Sequence, residues 1–247
     1  MTSWRVHAAA ATGQSHVIQS LPCQDAFAHA AEGDALVAVV CDGAGSQSHS
    51  HVGSARISRD VAAALLPVLD AALVDETAAR SAVESAVDAA LQSLADEAAQ
   101  GGSPLSSFAC TLVGAMAKGD VAWLFHVGDG IGVAVDAAGA QTVSPPHNGE
   151  YANETFFVTS PQWRDHLRLL RCEQPAHRFV LMSDGAMPFA MARGNAALFP
   201  AFIDPVVRFL AGSDEQAGSA ALRATLDDPR THAITDDDKT LLIALRM

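Results

Sequence analysis

The chain has few charged residues, and the charges that it has are mostly of one sign. Only 17% of its 247 residues are Asp, Glu, Lys or Arg, while 49% are hydrophobic, which is not the composition of a disordered chain. Lys and Arg number 15 against 28 Asp and Glu, a formal net charge of −13. This balance argues against partners such as nucleic acids and anionic membrane surfaces, which both require basic charge on the protein.

Long apolar runs and closely spaced cysteines are also missing. No stretch approaches the roughly 20 apolar residues of a membrane span, and residues 1–11 lack the basic start and apolar core of a secretory signal. The cysteines form no C-x-x-C pair, which argues against structural disulfides or a zinc knuckle. They are Cys23, Cys41, Cys110 and Cys172. We therefore expect a cytoplasmic protein with reduced thiols.

Hydrophobic periodicity predicts strands, a pair of helices, further strands, further helices and a last strand. The run Ala35–Cys41 is typical of a strand that is buried on both faces. Strands are also predicted over 4–11, 108–117, 121–127, 131–135, 155–158, 178–182 and 240–245, and helices over 52–69, 77–99, 199–210 and 215–226. This order lacks the regular alternation of a parallel doubly wound fold and favours an α+β fold. We expect a single domain over residues 1–247.

Aspartates stand at the ends of the predicted buried strands. Asp42 and Asp184 each follow an apolar strand and precede a glycine, and Asp237 precedes the last strand. If the last strand is antiparallel to the other two, the three carboxylates meet at one sheet edge, with Asp25 in a nearby loop. Clustered carboxylates raise one another's pKa values, and a bound divalent cation removes that cost. Ligand sets made only of oxygen select Mg²⁺ or Mn²⁺.

Each of these signals has a simpler interpretation when it is taken alone. A single Asp-Gly after a strand is more often a turn, and the acidic run 236–238 is more often a solvated loop or a helix cap. The joint arrangement of all three aspartates favours a metal site, because it is much less expected by accident.

Five short motifs follow one another along nearly the whole chain. They are Gln24-Asp25-Ala26-Phe27, Val39-Val40-Cys41-Asp42-Gly43-Ala44-Gly45, Val127-Gly128-Asp129-Gly130, Leu181-Met182-Ser183-Asp184-Gly185 and Asp237-Asp238-Lys239-Thr240. On these motifs the chain resembles the metal-dependent protein phosphatases, the type 2C serine/threonine phosphatase family. The stretches Gly13-Gln14-Ser15-His16 and Pro22-Cys23-Gln24-Asp25 are similar to a bacterial branch of it. The resemblance implies an αββα four-layer sandwich of two antiparallel sheets flanked by helices.

The implied activity is a metal-dependent protein serine/threonine phosphatase, a hydrolase of phosphoserine and phosphothreonine. In this family a water that bridges two Mn²⁺ or Mg²⁺ ions attacks the phosphorus. Carried over by motif, Asp42 would bridge the two ions and the Gly43 carbonyl would bind one of them. Asp184 and Asp237 would hold the other ion. Asp42, Asp184 and Asp237 are thus the expected catalytic residues.

Two further aspartates are expected to support the metal site. Asp25 would bind a metal directly or through water, and Asp129 would serve a third, weaker metal site. The carboxylate that family members carry shortly after Ser-Asp-Gly is absent here, since residues 186–189 are Ala-Met-Pro-Phe. The resemblance therefore predicts two ions, with little support for a third.

The chain departs from the family pattern at three places. Gln24 stands where Glu is common, and Ala44 stands where some members have a His that acts as general acid. The Arg that grips the substrate phosphate is missing near Ser20, and Arg5 or His16 would have to replace it.

Two histidines near Ala44 need a separate interpretation. His49 and His51 could protonate a leaving alkoxide. A solvent-exposed position at the start of a helix is the interpretation that we favour for both.

These departures keep two other functions open. A pseudophosphatase would act as a regulatory binding domain, which Gln24, Ala44 and the missing Arg favour and the intact aspartates oppose. A hydrolase of small phosphoesters is the other alternative. The expected partners are a phosphorylated protein substrate and a cognate serine/threonine kinase, and we expect a monomer. Residues 151–155 occupy the place of the family's variable flap, where a contact with substrate is expected.

Overall fold

Ten strands in the described part of the chain, residues 2–149 and 155–247 of the computed structural model, form two five-stranded sheets. The first sheet has the order β1-β10-β9-β6-β7 and the second has the order β2-β3-β4-β5-β8, and every neighbouring pair is antiparallel. The strands are β1 Trp4–Ala11, β2 Ala26–Glu32, β3 Ala35–Cys41, β4 Leu112–Lys118, β5 Val121–Val127, β6 Ile131–Asp136, β7 Gln141–Ser144, β8 Arg168–Arg171, β9 Ala176–Met182 and β10 Lys239–Arg246.

The described part of the chain has eight α-helices, and the longer ones cover the outer faces of the two sheets. They are α1 Gln14–Gln19, α2 Ser50–Leu65, α3 Leu69–Ala72, α4 Glu76–Gln100, α5 Met187–Ala190, α6 Pro200–Ala211, α7 Glu215–Leu226 and α8 Pro229–His232. The side chain of Asp75 caps α4 by accepting the Ala78 N–H, and that of Asp214 caps α7 by accepting the Ala217 N–H. No helix in the described ranges is long and apolar enough to cross a membrane.

Alternation of side chains along the strands builds three apolar layers. On β3, Leu36 and Val40 point between the sheets and meet Phe179 and Leu181 of β9 in one buried cluster. The other face of β3 belongs to a second cluster with α2 and α4, and a third cluster lies between the first sheet and helices α6 and α7. This arrangement confirms the expected four-layer αββα sandwich and explains why β3 is apolar at every position.

Some predicted boundaries are wrong for identifiable reasons. The helix predicted over 52–69 ends at Leu65, because Pro67 has no N–H to continue it and lies in the short 3-10 turn Leu66–Val68 before α3. The strand predicted from residue 108 begins at Leu112, after a 3-10 turn at Leu105–Phe108. The strand predicted over 155–158 does not form, and Thr155 makes only an isolated bridge to Asn148.

The sandwich brings the ends of several strands to one place. Asp42 follows β3 of the second sheet, whereas Asp184 follows β9 and Asp237 precedes β10 in the first sheet. Because β9 and β10 are antiparallel neighbours, the end of one lies beside the start of the other. The expected single sheet edge is therefore wrong: the aspartates converge from two sheets, at one end of the gap between them.

Candidate active site

Three carboxylates converge at this end of the sandwich. Asp42, Asp129 and Asp184 each offer one oxygen such that all three atoms lie within 4.8 Å of one another, and all three residues are half-buried. Asp129 comes from the turn between β5 and β6. The cluster opens into a pocket of about 210 Å³, whose lining also includes Gly43, Thr111, Thr155, Phe157, Asp237 and Asp238.

The carboxylates of this pocket are unfavourable as free anions. Burial, with Asp25 and Asp184 nearby, raises the pKa of Asp42 well above its ordinary range. Burial and the charge of Asp129 raise the pKa of Asp184 to about 6. No Lys or Arg lines the pocket in the described residues, so protein cations do not balance these charges.

Two buried oxygen atoms of the pocket lack a hydrogen-bond donor in the described part of the chain, and they show whether the pocket fits a divalent cation. Asp184 Oδ1 and Gln24 Oε1 are buried, and neither accepts a hydrogen bond from a described residue. Buried acceptors without donors are costly in a protein, and they suit a cation that is bound only by oxygen. The residues present therefore fit Mg²⁺ or Mn²⁺, and neutral Gln24 supplies an amide oxygen in place of a carboxylate.

Asp25 lies behind the pocket and does not line it. Its Oδ2 accepts the Ser183 hydroxyl at 2.6 Å, and the same hydroxyl oxygen accepts the Thr240 N–H at 2.9 Å. Burial raises the pKa of Asp25 to about 8. The chain of hydrogen bonds ties the first acidic motif to the loop that carries Asp184, and a role of Asp25 through water stays a prediction.

Asp237 and Gly43 both line the pocket, as their predicted roles require. Asp237 is exposed at its rim. The Gly43 N–H donates to the Gln24 carbonyl at 3.1 Å, which joins the first two acidic motifs. Gly185 allows a further close approach, because a Cβ there would collide with the Asp238 carbonyl oxygen.

Asp129 lies within the main carboxylate cluster, although the resemblance assigns it to a third metal site. The Thr155 hydroxyl donates to its Oδ2 at 2.6 Å and orients the carboxylate. Residues 186–189, where a further family carboxylate is expected, carry no acidic side chain and run into the short helix α5. A third site stays a prediction without an added carboxylate to support it.

Of the four basic residues considered from sequence, one lines the pocket. His16 does so, while His49 stacks on Phe108 with ring centroids 4.9 Å apart. His51 is half-buried in the first turn of α2 and is absent from the pocket lining. Arg5 is wrong as a phosphate ligand, because its guanidinium donates to the carbonyl of Ala211, the last residue of α6, and to that of Ser213.

Sequence reasoning missed three polar residues of the pocket. The Thr111 hydroxyl accepts the Asp42 N–H at 3.0 Å, and Thr155 orients Asp129. Asp238 is buried and accepts hydrogen bonds from several groups rather than facing solvent. Two of the three left a signal in the sequence that predicted a different role. Thr155 ends the predicted flap, and Asp238 takes the position of Asn in the closing motif of the family.

Comparison with known proteins identifies the family. A family model described as protein phosphatase 2C matches residues 12–227. The serine/threonine-protein phosphatase 3 of Escherichia coli (strain K12) is 31% identical, over 98% of each chain. This chain belongs to the protein phosphatase 2C family.

Several solved structures share the fold of this chain. The catalytic domain of the serine/threonine protein phosphatase PstP, in complex with two manganese ions, superposes with a TM-score of 0.63 at 18% identity over the whole of both chains. PppA, a regulatory component of the type VI secretion system in Pseudomonas aeruginosa, gives 0.64 at 18% identity with the same coverage. Stp1 from Staphylococcus aureus gives 0.61 at 17% identity, over 97% of this chain and 94% of that one.

Two departures of this chain from the protein phosphatase 2C pattern lie in the pocket. Gln24 and Ala44 both line the pocket, so the departures noted in the sequence fall on the site itself. Of the predicted flap, residues 151–154 lie outside the described residues. Phe157, just after it, lines the pocket and can contact a substrate.

Proposed function

We propose that this chain is a metal-dependent serine/threonine phosphatase that hydrolyses phosphoserine and phosphothreonine in proteins, with Mn²⁺ or Mg²⁺ as its cofactor. The convergence of Asp42, Asp129 and Asp184 in one pocket, with no Lys or Arg among the described lining residues, carries the proposal. A binding module would have no use for buried carboxylates that destabilise it, so this arrangement supports catalysis rather than a pseudophosphatase.

The proposed cation ligands are the aspartates that line the pocket. Asp42 and Gly43 bind from the end of β3, Asp184 from the end of β9 and Asp237 from the start of β10. Asp129 contributes from the turn between β5 and β6. When bound, two divalent cations supply Lewis acidity that activates a water and stabilises charge on the phosphoryl oxygens.

The residues around the ligands hold the carboxylates in place. Thr155 donates to Asp129, and the Thr111 hydroxyl accepts the Asp42 N–H, so that two ligands are oriented by neutral hydroxyl groups. Ser183 ties Asp25 to the start of β10. This support aligns the site before the substrate arrives, which reduces the cost of reaching the transition state.

We infer the setting of the reaction from the same features. The substrate is a phosphorylated protein, and the enzyme opposes a serine/threonine kinase. The chain acts as a monomeric single domain. Its four free cysteines support a reducing compartment such as the cytoplasm.

Hydrolysis of a phosphothreonine peptide tests the function. Purified protein is assayed with Mn²⁺, with Mg²⁺ and with chelator, alongside a nucleotide and a sugar phosphate as small phosphoesters. Phosphate release that requires a metal and favours the peptide is expected. Equal or better turnover of the small phosphoesters would indicate a hydrolase of small molecules, and no release by folded protein would indicate a pseudophosphatase.

A further inference from the structure

This inference rests on the proposed function, in which the pocket binds the phosphate of the substrate. Binding a phosphate requires a hydrogen-bond donor, preferably one with a positive charge. Five aspartates line the pocket, and a phosphate monoester adds further negative charge. Among the described lining residues, His16 is the only side chain that can carry a positive charge. Any direct electrostatic contact between the described side chains and the phosphate therefore falls to His16.

The backbone around α1 fixes His16 at the pocket wall. Ser15 donates to the Asp236 carbonyl from its N–H at 3.0 Å and from its hydroxyl at 2.8 Å. Gly13 packs directly on the backbone of 236–237, where a Cβ would collide. These contacts hold the short helix against the segment that carries Asp237, and His16 is 8% exposed.

A buried carboxylate sets the orientation of the imidazole. His16 Nδ1 lies 2.9 Å from Oδ2 of Asp238, which is 2% exposed. Asp238 also accepts the N–H groups of Gly13, at 2.7 Å, and of Gln24. A carboxylate that already accepts two N–H groups is an acceptor for the imidazole as well, so Nδ1 carries a hydrogen and Nε2 is left for another partner.

The second ring nitrogen of His16 has no partner in the described residues. Nε2 is neither hydrogen-bonded nor among the buried unpaired polar atoms, whereas the other nitrogen is engaged by Asp238. Because the residue lines the pocket and is otherwise enclosed, its free nitrogen is the atom available to a ligand there.

We propose that His16 binds the phosphoryl group of the substrate through Nε2, and that Asp238 is the positioning residue that holds the ring. The imidazolium donates from both nitrogens, one to the Asp238 carboxylate and the other to a phosphoryl oxygen. His16 thus takes the place of the arginine that the chain lacks.

Two amide substitutions separate substrate contact from structural support. In His16→Asn the amide nitrogen reaches the position of Nδ1 and can keep the bond to Asp238, but nothing reaches the phosphate. In His16→Gln the amide nitrogen reaches the position of Nε2 and can donate to the phosphate, but the bond to Asp238 is lost. A residue with only a structural role would tolerate Asn better than Gln, and the proposal predicts the opposite for phosphate affinity.

The measurements are binding of inorganic phosphate by calorimetry to the Mn²⁺-loaded protein, and KM and kcat for the phosphothreonine peptide. We expect His16→Asn to weaken phosphate binding and to raise KM about tenfold or more, the loss of one charged hydrogen bond. His16→Gln should stay closer to wild type in phosphate binding while its Tm falls. Mn²⁺ affinity should be unchanged in both variants.

The outcomes distinguish this inference from the proposed function. Wild-type phosphate binding and KM in His16→Asn would overturn the role of His16 while leaving the phosphatase intact. Weak phosphate binding by folded His16→Gln would overturn it too, even if the Asn variant does not fold. A wild-type protein that binds phosphate but releases none from the peptide would contradict the proposed function, and calorimetry would still decide the role of His16.

Discussion

Asp42 is a residue of the site that we expect to destabilise the metal-free protein and to be required for catalysis. Its carboxylate lies among other carboxylates, and burial raises its pKa well above the ordinary range. The same carboxylate is stabilising once a divalent cation lies beside it, because charge attraction replaces repulsion. Asp42 should therefore lower the free energy of unfolding of the metal-free protein and raise that of the metal-bound protein.

The substitution Asp42→Asn tests this reversal. We expect turnover with Mn²⁺ to fall by at least about a hundredfold, since a metal ligand is lost. In chelator, the Tm of the variant should exceed that of wild type, because the amide removes a carboxyl group whose ionisation is more costly in the folded protein than in the unfolded chain. Asp96→Asn, on the exposed surface of α4, is the matched control and should change neither quantity. A variant that is active like wild type would exclude Asp42 as a ligand.

The acidic cluster also predicts how the metal-free protein responds to pH. The pKa values of Asp184, about 6, and Asp25, about 8, are raised above those of the unfolded chain. The folded state therefore binds more protons between pH 4 and 8, and the free energy of unfolding falls as pH rises through this range. Each carboxyl contributes a slope of at most about 1.4 kcal/mol per pH unit.

Denaturant unfolding in chelator at several pH values measures this dependence. Wild type should be less stable at pH 8 than at pH 5.5, and Asp184→Asn should show a shallower decline. Saturating Mn²⁺ should reduce the decline in wild type, because bound cations hold the carboxylates ionised. If stability rises with pH in chelator and Asp184→Asn follows the same curve, the cluster does not carry the stated pKa shifts.

At the scale of elements, the loops that follow and precede the strands determine where the aspartates of the pocket lie. Gly185 shows how closely two of these loops are packed. This glycine follows Asp184 in a 3-10 turn, and a Cβ on it would collide with the Asp238 carbonyl oxygen. The collision is with backbone at the start of β10, which has little freedom to move. The close packing of the two segments keeps Asp184 and Asp237 in one pocket.

Gly185→Ala should destabilise the protein by about 1–3 kcal/mol and weaken Mn²⁺ binding at the same time. Gly101→Ala is the control, because a Cβ there meets nothing closer than 3.6 Å. Denaturant unfolding and calorimetry check both quantities. Unchanged stability and Mn²⁺ affinity in Gly185→Ala would show that the turn can move away from β10 at no cost.

Elements with strong local patterns could be predicted from the sequence. The buried strand Ala35–Cys41 and the helix Glu215–Leu226 occur as predicted, because apolar runs and helical spacing are local signals. Strand β2 was missed, since its alanine-rich sequence is half-exposed and lacks β-branched residues. The six-residue helix α1 was missed because contacts with 236–238, distant in sequence, hold it in place.

The site was predictable to a similar degree and for similar reasons. Asp42 and Asp184 were found because each follows a strand with a strong apolar pattern. The roles of Thr111 and Thr155 depend on which strands and turns become neighbours, which no local pattern encodes. Arg5 was a wrong candidate for the phosphate, since its position in sequence carries no information about the side of the sheet on which it lies.

At the scale of the molecule, the two sheets pack on each other through a shared apolar layer. The carboxylates of the pocket lie at one end of this layer. The net charge of −13 does not steer a phosphorylated substrate towards the protein, because both are negative. Bound cations, together with His16, would supply the attraction locally. We therefore expect metal binding to affect substrate binding, catalysis and global stability together.

Mn²⁺ should raise the Tm of wild type relative to chelator. At a free concentration of 100 times Kd, one bound ion adds about 2.7 kcal/mol to the free energy of unfolding. Thermal unfolding over a series of Mn²⁺ concentrations measures the effect. An identical Tm with excess Mn²⁺ and with chelator would count against a bound metal.

The central claim is that the aspartate pocket is a metal-dependent catalytic site. The most direct test titrates Mn²⁺ into wild type, Asp42→Asn and Asp96→Asn by calorimetry. The peptide assay is then run on the same samples. The claim predicts saturable binding and activity in wild type and Asp96→Asn, and loss of both in Asp42→Asn. Equal Mn²⁺ binding and equal phosphate release in all three proteins would contradict it.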